Sequence, residues 1–357
     1  MIKLPPLKPD SEDMLHLDAL RIVGALMIVV FHFNRFINLD GRWQLADDTI
    51  KSFSLVVDLF FVISGYVMAA IYTGRLTTPA RYGDFLKKRV ARLGPLHWLT
   101  LAAFVAIAAA GSAGLINERD PSRYDASCIV PNILFIHAWG VCRAQTYNFV
   151  SWAISAEMGL YIALPLIFWL TGKGRVVTAA LAFGSLALLA WISRDGETFS
   201  QWTYNFGVAR AVPGFLLGML AFQIRPWLAK LPFAPWVMWG LLLAFMVASA
   251  MGAPRDALLL VMYAIGFAGV AADAGPAGKT IRWMAPWAQL SFSLYLLHPL
   301  ALKIALNWVG FGLWKLNGDA MRLWVLAWVL LLIPIAYLSL VLFERPARDW
   351  IAKLGKR

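Results

Sequence analysis

Arg21 and His32 lie eleven residues apart in an apolar stretch near the start of the chain. Eleven residues of α-helix make about three turns, so both side chains, together with Asp18, point to one face. Placing a titratable side chain at the centre of a bilayer costs roughly 2.5 kcal/mol or more of free energy. Such a residue therefore usually faces the protein interior and belongs to a functional site. This spacing makes His32 the first candidate for chemistry.

The composition indicates an integral membrane protein. The 357 residues are 60% hydrophobic and 15% charged, and the 17 Trp residues fit aromatic belts at two membrane interfaces. The mean hydropathy is +0.66. The net charge of +12 does not predict a nucleic-acid partner, because Lys and Arg occur in short loops between apolar segments instead of in one basic domain.

Apolar segments of about 17–22 residues, the length that crosses a ~30 Å hydrocarbon core, recur along the whole chain. They predict an all-α fold, a bundle of about ten transmembrane helices. The predicted spans are 17–36, 53–72, 94–111, 150–171, 176–193, 207–224, 234–251, 256–272, 287–307 and 321–342.

The distribution of Lys and Arg predicts the orientation of these spans. With a cytoplasmic N-terminus, 20 of the 32 basic residues fall on the inner side. We therefore expect one transmembrane domain over 1–357, with a short cytoplasmic segment 1–15, a cytoplasmic tail 344–357 and no cleaved signal peptide. The expected location is the bacterial inner membrane.

Two cysteines, Cys128 and Cys142, fall in the predicted outer loop between the third and fourth spans. A disulfide can persist there in a periplasm-like compartment, although two unpaired thiols are the alternative. Neither cysteine lies in a metal-like pattern, so no metal site is expected.

The depths of two residues suggest that they meet. With a ~1.5 Å rise per residue, His32 lies roughly 20 Å from the inner face and Glu157 roughly 10 Å below the outer face. These depths coincide in a ~30 Å core. A carboxylate beside an imidazole orients a general base and stabilises its protonated form, so we expect His32 and Glu157 to be the catalytic pair.

Six sequence segments together resemble the membrane-bound acyltransferase 3 family, which acylates cell-surface and secreted carbohydrates. They occur in the family's order over nearly the whole chain. The segments are HLDALRIVGALMIVVFH (16–32), VDLFFVISGYVM (57–68), FLKKRVARLGPLHW (85–98), SWAISAEMGLY (151–161), FSLYLLHPL (292–300) and FERP (343–346).

The resemblance implies a ten-helix bundle that uses cytoplasmic acyl-CoA, typically acetyl-CoA, as co-substrate without a bound cofactor. It identifies His32 as the essential histidine, Arg21 as its arginine partner and Glu157 as the glutamate of the fourth helix. The chain departs from the family at His97, where a Tyr is common. It also ends soon after the tenth span, so we expect no extracytoplasmic hydrolase-like domain.

The remaining candidates each have a structural alternative. Arg89 and Arg92 suit the phosphates of coenzyme A but also fit cytoplasmic anchors. Asp58 orients an acceptor hydroxyl or faces the outer water layer. Ser64 lines a channel or permits close helix packing. His298 acts in the site or satisfies a helix break at Pro299. Further candidates for lining the site are Asp18, Trp152, Tyr161 and Tyr295, of which Trp152 and Tyr161 fit the aromatic belt equally well.

These patterns predict transfer of an acyl group from acyl-CoA to a hydroxyl of a surface or lipid-linked carbohydrate, with His32 as general base. Direct attack and an acyl-imidazole intermediate both remain open. The alternative from another class is a secondary transporter of a glycolipid or small anion, which would also explain many spans and buried ionisable groups. A polysaccharide ligase is a third interpretation, which the modest length of the loop at 111–149 disfavours.

Overall fold

The computed structural model describes residues 5–9, 11–37, 44–116, 121–275 and 281–354. Residues 1–4, 10 and 355–357 of the predicted terminal segments lie outside these ranges. The described chain is helical and contains no strand, as predicted. Its helices are α1 (Leu15–Ile37), α2 (Gln44–Lys51), α3 (Val56–Tyr72), α4 (Pro79–Ser112), α5 (Ile129–Ile133), α6 (Trp152–Ile162), α7 (Leu164–Thr171), α8 (Arg175–Ile192), α9 (Gly207–Gln223), α10 (Arg225–Leu228), α11 (Ala234–Ala250), α12 (Arg255–Ala274), α13 (Ser291–Ala301), α14 (Gly318–Ser339) and α15 (Arg345–Lys353).

Each of the ten predicted apolar segments falls on helix. Within the described ranges, seven helical stretches are long and apolar enough to cross a membrane, which indicates a multi-pass membrane protein. They are Leu15–Ile37, Gln44–Tyr72, Pro79–Ser112, Arg175–Ile192, Arg255–Ala274, Ala285–Leu313 and Gly318–Lys353. Ten spans and two cytoplasmic termini therefore stay a prediction.

Three predicted spans differ from a simple crossing. The predicted span 150–171 divides into α6 and α7, which are bent by 60°. Pro165 lies at the start of α7, where it cannot donate a backbone hydrogen bond into the preceding turn. Helices α9 and α11 have 17 residues each, or about 26 Å, slightly less than a ~30 Å core.

Helix α3 packs closely against α9 because glycines let the two backbones touch. A Cβ atom on Gly65 would lie 2.0 Å from the carbonyl oxygen of Phe215, and one on Gly218 would lie 2.0 Å from that of Val62. Small residues provide this kind of contact between membrane helices. Gly65 therefore has a packing role, whereas its neighbour Ser64 faces α6, where its hydroxyl donates to Glu157.

Asp58 is buried in this same interface and does not face the outer water layer. It accepts hydrogen bonds from Arg210 of α9, at 2.6 Å from Nη2 and 3.1 Å from Nε. Both side chains are almost fully buried, with exposures of 0% for Asp58 and 3% for Arg210. The structure thus places Asp58 away from the outer water layer and pairs it with a cation on the adjacent helix, and a role toward an acceptor hydroxyl stays a prediction.

A break in helical geometry lies beside His298. Helix α13 contains Pro299 and continues to Ala301, where it passes into the wider turns of a π-helix over Leu302–Leu313. Such turns frequently occur at functional sites. The Nδ1 atom of His298 lies 3.1 Å from the carbonyl oxygen of Leu294, one turn earlier.

A disulfide joins Cys128 to Cys142, whose Cα atoms are 5.9 Å apart. The segment that it closes lies between α4 and α6. The backbone N–H of Tyr147 donates to the carbonyl of Arg123, and the Tyr147 hydroxyl donates to that of Asp125. These bonds hold Arg123 in a fixed position at one end of the bundle, which we call the disulfide end.

Candidate active site

A cavity of about 470 Å³ lies among α1, α3, α4, α6 and α13, and we call it the arginine cavity. It collects most of the candidate residues, although they come from five helices far apart in the sequence. Those that line it are Asp18, Arg21, Ser64, Arg89, Arg92, Glu157, Tyr161 and Tyr295. The volume lies within the range of small-molecule sites.

Arg89 is held by aromatic side chains in the wall of the arginine cavity. Its Nη2 donates to the Tyr72 hydroxyl at 2.9 Å. The guanidinium lies over the rings of Tyr72, Phe85 and Tyr161 at 5.4, 5.5 and 5.6 Å from their centroids. Stacking of this kind fixes the plane of the guanidinium, and a fixed plane favours two-point binding of a phosphate.

Arg21 contributes a second cation to the arginine cavity. Its Nη1 lies 2.9 Å from Oδ1 of Asp18, so the two same-face residues of α1 form an ion pair. Arg92 also lines the cavity. The three arginines predicted to bind the donor are therefore brought to one cavity, and their binding role stays a prediction.

Glu157 lies in the arginine cavity and does not contact His32. It accepts a hydrogen bond from the Ser64 hydroxyl at 2.7 Å and a second, short one from the Tyr161 hydroxyl. The predicted direct pairing of Glu157 with His32 is thus not formed. Matching depths do not determine which way a residue faces around a helix, and α6 turns Glu157 toward α3.

The imidazole of His32 is instead stacked on that of His298. The two ring centroids are 5.1 Å apart, with planes inclined by 24°. Phe149 contacts the His32 ring edge-on at 4.8 Å. The structure therefore joins His32 of α1 to His298 of α13, two candidates that the sequence placed 266 residues apart.

His298 presents a lone pair inside the protein. Its Nδ1 faces the Leu294 carbonyl and must donate there, so Nε2 is the unprotonated nitrogen of the neutral ring. Within the described part of the chain, Nε2 is buried and has no hydrogen-bond partner. A buried nitrogen of this kind can accept a proton or a hydrogen bond from a substrate.

A second cavity, of about 660 Å³, lies at the disulfide end, and we call it the disulfide-end cavity. Its lining includes Arg35, Arg123, Lys303, Phe149 and Pro299. Phe149 also contacts the His32 ring, and Pro299 follows His298 in α13.

Aromatic rings and the two histidines connect the arginine cavity to the disulfide-end cavity. Tyr295 lines the arginine cavity, and its ring centroid is 6.0 Å from that of His298. His298 stacks on His32, and His32 touches Phe149, which lines the disulfide-end cavity. The histidine pair therefore lies between the two cavities.

Trp152 does not line either cavity. Its ring packs against Phe61 at 6.0 Å and lies 4.8 Å from the guanidinium carbon of Arg210. The ring covers the Asp58–Arg210 ion pair, and a sugar-stacking role for Trp152 stays a prediction.

Sequence reasoning missed several residues of these sites. Arg210 is a single cation in the apolar segment GVARAVPGFLLGML, a signal that marks a buried partner. Tyr72 gives no such signal, because its contact with Arg89 depends on how α3 meets α4. Among the described residues, no group of three or more His, Cys, Asp or Glu is arranged to hold a metal ion.

Comparison with known proteins gives one family. The family model described as "Acyltransferase domain" matches residues 14–344, nearly the whole chain. A Rhizobium radiobacter protein named protein 2 in picA locus is 43% identical over 99 residues, which cover 27% of this chain and 46% of the relative. No solved structure matches the chain.

Two other relatives carry names that mention a function. A Staphylococcus aureus protein whose name proposes an O-acetyltransferase is 27% identical over 233 residues, covering 60% of this chain and 35% of its own length. The exopolysaccharide production protein ExoZ of Rhizobium meliloti is 22% identical over 255 residues, covering 70% of this chain and 76% of its own. The chain thus covers less than half of the length of the Rhizobium radiobacter protein and of the Staphylococcus aureus protein.

Proposed function

The chain belongs to the acyltransferase family, and on that premise we propose that it transfers an acyl group, acetyl in the first instance, from acyl-CoA to a hydroxyl of a carbohydrate at the cell surface or on a lipid carrier. The observation that carries this proposal is the position of the His32–His298 pair between two cavities. Names of relatives that refer to O-acetyl transfer and exopolysaccharide production support the same chemistry.

The arginine cavity is the proposed donor site. Coenzyme A carries several phosphates, and arginine binds phosphate through two parallel, charge-assisted hydrogen bonds. Arg21, Arg89 and Arg92 would hold these phosphates. Arg21 and His32 lie about 16 Å apart along α1, since eleven residues each rise ~1.5 Å, so the pantetheine arm would carry the thioester along α1 toward the histidines.

The disulfide-end cavity is the proposed acceptor site. An acceptor hydroxyl there gives its proton to the imidazole of His32, and the hydroxyl oxygen bonds to the acyl carbon of the thioester. The carbon–sulfur bond breaks, and the imidazolium returns the proton to the leaving thiolate, which gives free CoA and restores the neutral imidazole. We propose His32 as this general base and His298 as the ring that stacks on it. General-base catalysis contributes about 10²–10⁴-fold to the rate.

Glu157 has a different proposed role from that of a base partner. Its hydrogen bonds to Ser64 and Tyr161 and its place in the arginine cavity suit positioning of the donor. We further propose ten crossings, with both termini in the cytoplasm and the disulfide outside, as the distribution of Lys and Arg favours. Reporter fusions to the two termini and to the loop at 121–148 test this orientation.

The first experiment compares membranes that contain equal amounts of wild type, His32→Ala or Thr77→Ala, the last as an exposed control outside both cavities. The assay measures transfer of labelled acetyl from acetyl-CoA to envelope glycan, together with CoA release. Loss of both signals in His32→Ala alone supports the proposal. Undiminished transfer in His32→Ala refutes the role of His32, and gradient-dependent uptake of glycan without CoA release would favour the transporter instead.

A further inference from the structure

The phenyl ring of Phe149 lies between the disulfide-end cavity and the imidazole of His32. It contacts the His32 ring edge-on, with the centroids 4.8 Å apart and the planes inclined by 66°. In the described part of the chain, Phe149 lines the disulfide-end cavity and His32 does not. A molecule that moves from this cavity to His32 therefore has to pass the Phe149 ring.

Two more rings leave little of the His32 imidazole open. The Phe31 ring meets it edge-on at 4.6 Å, and the His298 ring is stacked on it at 5.1 Å. His32 nevertheless keeps part of its surface exposed. The approach to the imidazole is therefore narrow, and Phe149 forms its wall toward the disulfide-end cavity.

The segment 147–151, which we call the strap, holds the Phe149 ring in this position. The Nδ2 atom of Asn148 donates to the Thr100 hydroxyl of α4 and to the Leu296 carbonyl of α13, at 3.0 Å each. All three of these residues are buried. Because satisfied polar contacts in a buried region make it rigid, Asn148 fixes the strap to both helices directly beside Phe149.

Val150 and Tyr147 complete this attachment. The Val150 carbonyl accepts a hydrogen bond from the Tyr295 hydroxyl at 2.7 Å, which is a second bond to α13. Tyr147 has a positive φ of 54°, in the left-handed region that bulky residues rarely adopt. Such backbone strain persists only where the surrounding contacts impose it, and it clusters at functional sites. The strap is thus held in a strained conformation that places Phe149 against His32.

Water is the competitor that a ring at this position would exclude. A water molecule can replace the acceptor: it gives a proton to the His32 imidazole, its oxygen bonds to the acyl carbon, and the carbon–sulfur bond breaks. The imidazolium returns the proton to the leaving thiolate, and the products are free CoA and a carboxylic acid. Closed active sites suppress such hydrolysis because they exclude water.

The apolar ring of Phe149 distinguishes water from a carbohydrate hydroxyl. A buried water needs roughly two to four polar partners, and a phenyl ring offers it none. A carbohydrate hydroxyl belongs to a sugar that binds in the cavity, and contacts made by the rest of a substrate can supply the free energy that displaces the ring. The ring would therefore yield to a bound acceptor but not to water.

We propose that Phe149, held by the strap, is a specificity-determining residue that keeps water from the thioester at His32, so that the acyl group passes to a carbohydrate hydroxyl. It acts through its position and takes no part in proton transfer. The inference rests on the proposed function, since it concerns the choice of acceptor for acyl transfer at His32.

Release of acetate from acetyl-CoA in the absence of glycan tests the proposal. The full-length wild type and its variants, each in nanodiscs, receive acetyl-CoA with a labelled acetyl group, and labelled acetate and free CoA are measured. The variants are Phe149→Ala and Phe149→Leu, each alone and combined with His32→Ala. The matched control is Phe183→Ala, which removes a 57% exposed ring of α8 outside both cavities.

We expect Phe149→Ala to release acetate roughly tenfold faster than wild type, because water then reaches a general base whose full effect is about 10²–10⁴-fold. Phe149→Leu keeps more of the apolar cover and should give a smaller increase, whereas Phe183→Ala should match wild type. Adding His32→Ala should abolish the increase. Acetate release at the wild-type rate in a folded Phe149→Ala protein overturns the proposal.

Carbethoxylation by diethyl pyrocarbonate tests the cover over His32 without turnover. The reagent modifies neutral imidazole, and mass spectrometry follows each histidine separately. His32 should react faster in Phe149→Ala than in wild type. His16, which is buried at the start of α1 and paired with Asp273, should react as in wild type and so reports an intact fold. An unchanged His32 rate overturns the proposal, and where Phe149→Ala exposes His16 as well, the same two rates in Phe149→Leu decide.

Failure of this inference and failure of the proposed function give different results. A wild type that neither labels glycan nor releases CoA refutes the proposed function and this inference with it. A wild type that labels glycan, together with a Phe149→Ala variant that releases no additional acetate, refutes only the role of Phe149.

Discussion

The Asp58–Arg210 ion pair should stabilise the fold and should not act on the acceptor. Two hydrogen bonds of 2.6 and 3.1 Å join the carboxylate to the guanidinium, and neither side chain is more than 3% exposed. Asp58→Ala leaves a buried guanidinium without its counter-charge. Breaking a buried pair on one side costs about 3–5 kcal/mol, so the free energy of unfolding should fall by that amount.

Denaturation of the purified protein in mixed micelles, followed by Trp fluorescence, measures this free energy. The double variant Asp58→Leu with Arg210→Met removes both charges and should recover most of the loss, since no charge then remains buried without a partner. The matched control is Asp319→Ala, which breaks an ion pair with Arg322. The Asp319 side chain is 83% exposed. It should cost less than about 1 kcal/mol.

The reasoning fails if Asp58→Ala unfolds at the same denaturant concentration as wild type. It also fails if the double variant is no more stable than Asp58→Ala. A stable Asp58→Ala protein that has lost only its acceptor-dependent activity would return Asp58 to the acceptor site, one of the two roles that the sequence left open.

Three further predictions concern the two cavities. His298→Ala should lower kcat for acyl transfer by roughly 10²-fold at unchanged protein level, because the partner of His32 is lost; wild-type kcat would limit His298 to packing. Arg89→Lys should raise KM for acetyl-CoA roughly tenfold with little change in kcat, because lysine cannot keep the stacked, two-point geometry; an unchanged KM would remove Arg89 from the donor site. Replacing Cys128 and Cys142 together by Ser should raise KM for the acceptor but not for acetyl-CoA, since the disulfide segment holds Arg123. Steady-state kinetics with each substrate varied in turn measures both values, and a change of both KM values together would contradict the prediction.

The helices could be predicted from the sequence because apolar stretches of membrane-spanning length are a strong signal. The division of the predicted span 150–171 was less visible, although Pro165 was its cause. A proline inside an apolar stretch either kinks a helix or ends it, and the choice depends on packing that the sequence does not display.

The candidate site was predicted in its members but not in all its contacts. Arg21, Arg89 and Arg92 do share a cavity. The depth of each residue along its helix, however, predicted that His32 lies beside Glu157, whereas the ring stacked on His32 is that of His298. Rise per residue determines height in the membrane, whereas the direction around a helix depends on which helices are adjacent. That information comes from the packing of α1 against α13 and from the Ser64–Glu157 hydrogen bond between α3 and α6.

The rings between the two cavities also bear on the choice between acyltransferase and transporter. Tyr295, His298, His32 and Phe149 form a continuous row in which neighbouring centroids are 4.8–6.0 Å apart. Transport of a glycan would require this row to separate, because alternating access opens a path through the binding site. Acyl transfer requires only that a thioester reach the row from one cavity and a hydroxyl from the other. The packed histidine pair therefore suits a reaction in which thioester and hydroxyl meet at the pair from opposite cavities, while the carbohydrate stays on its own side.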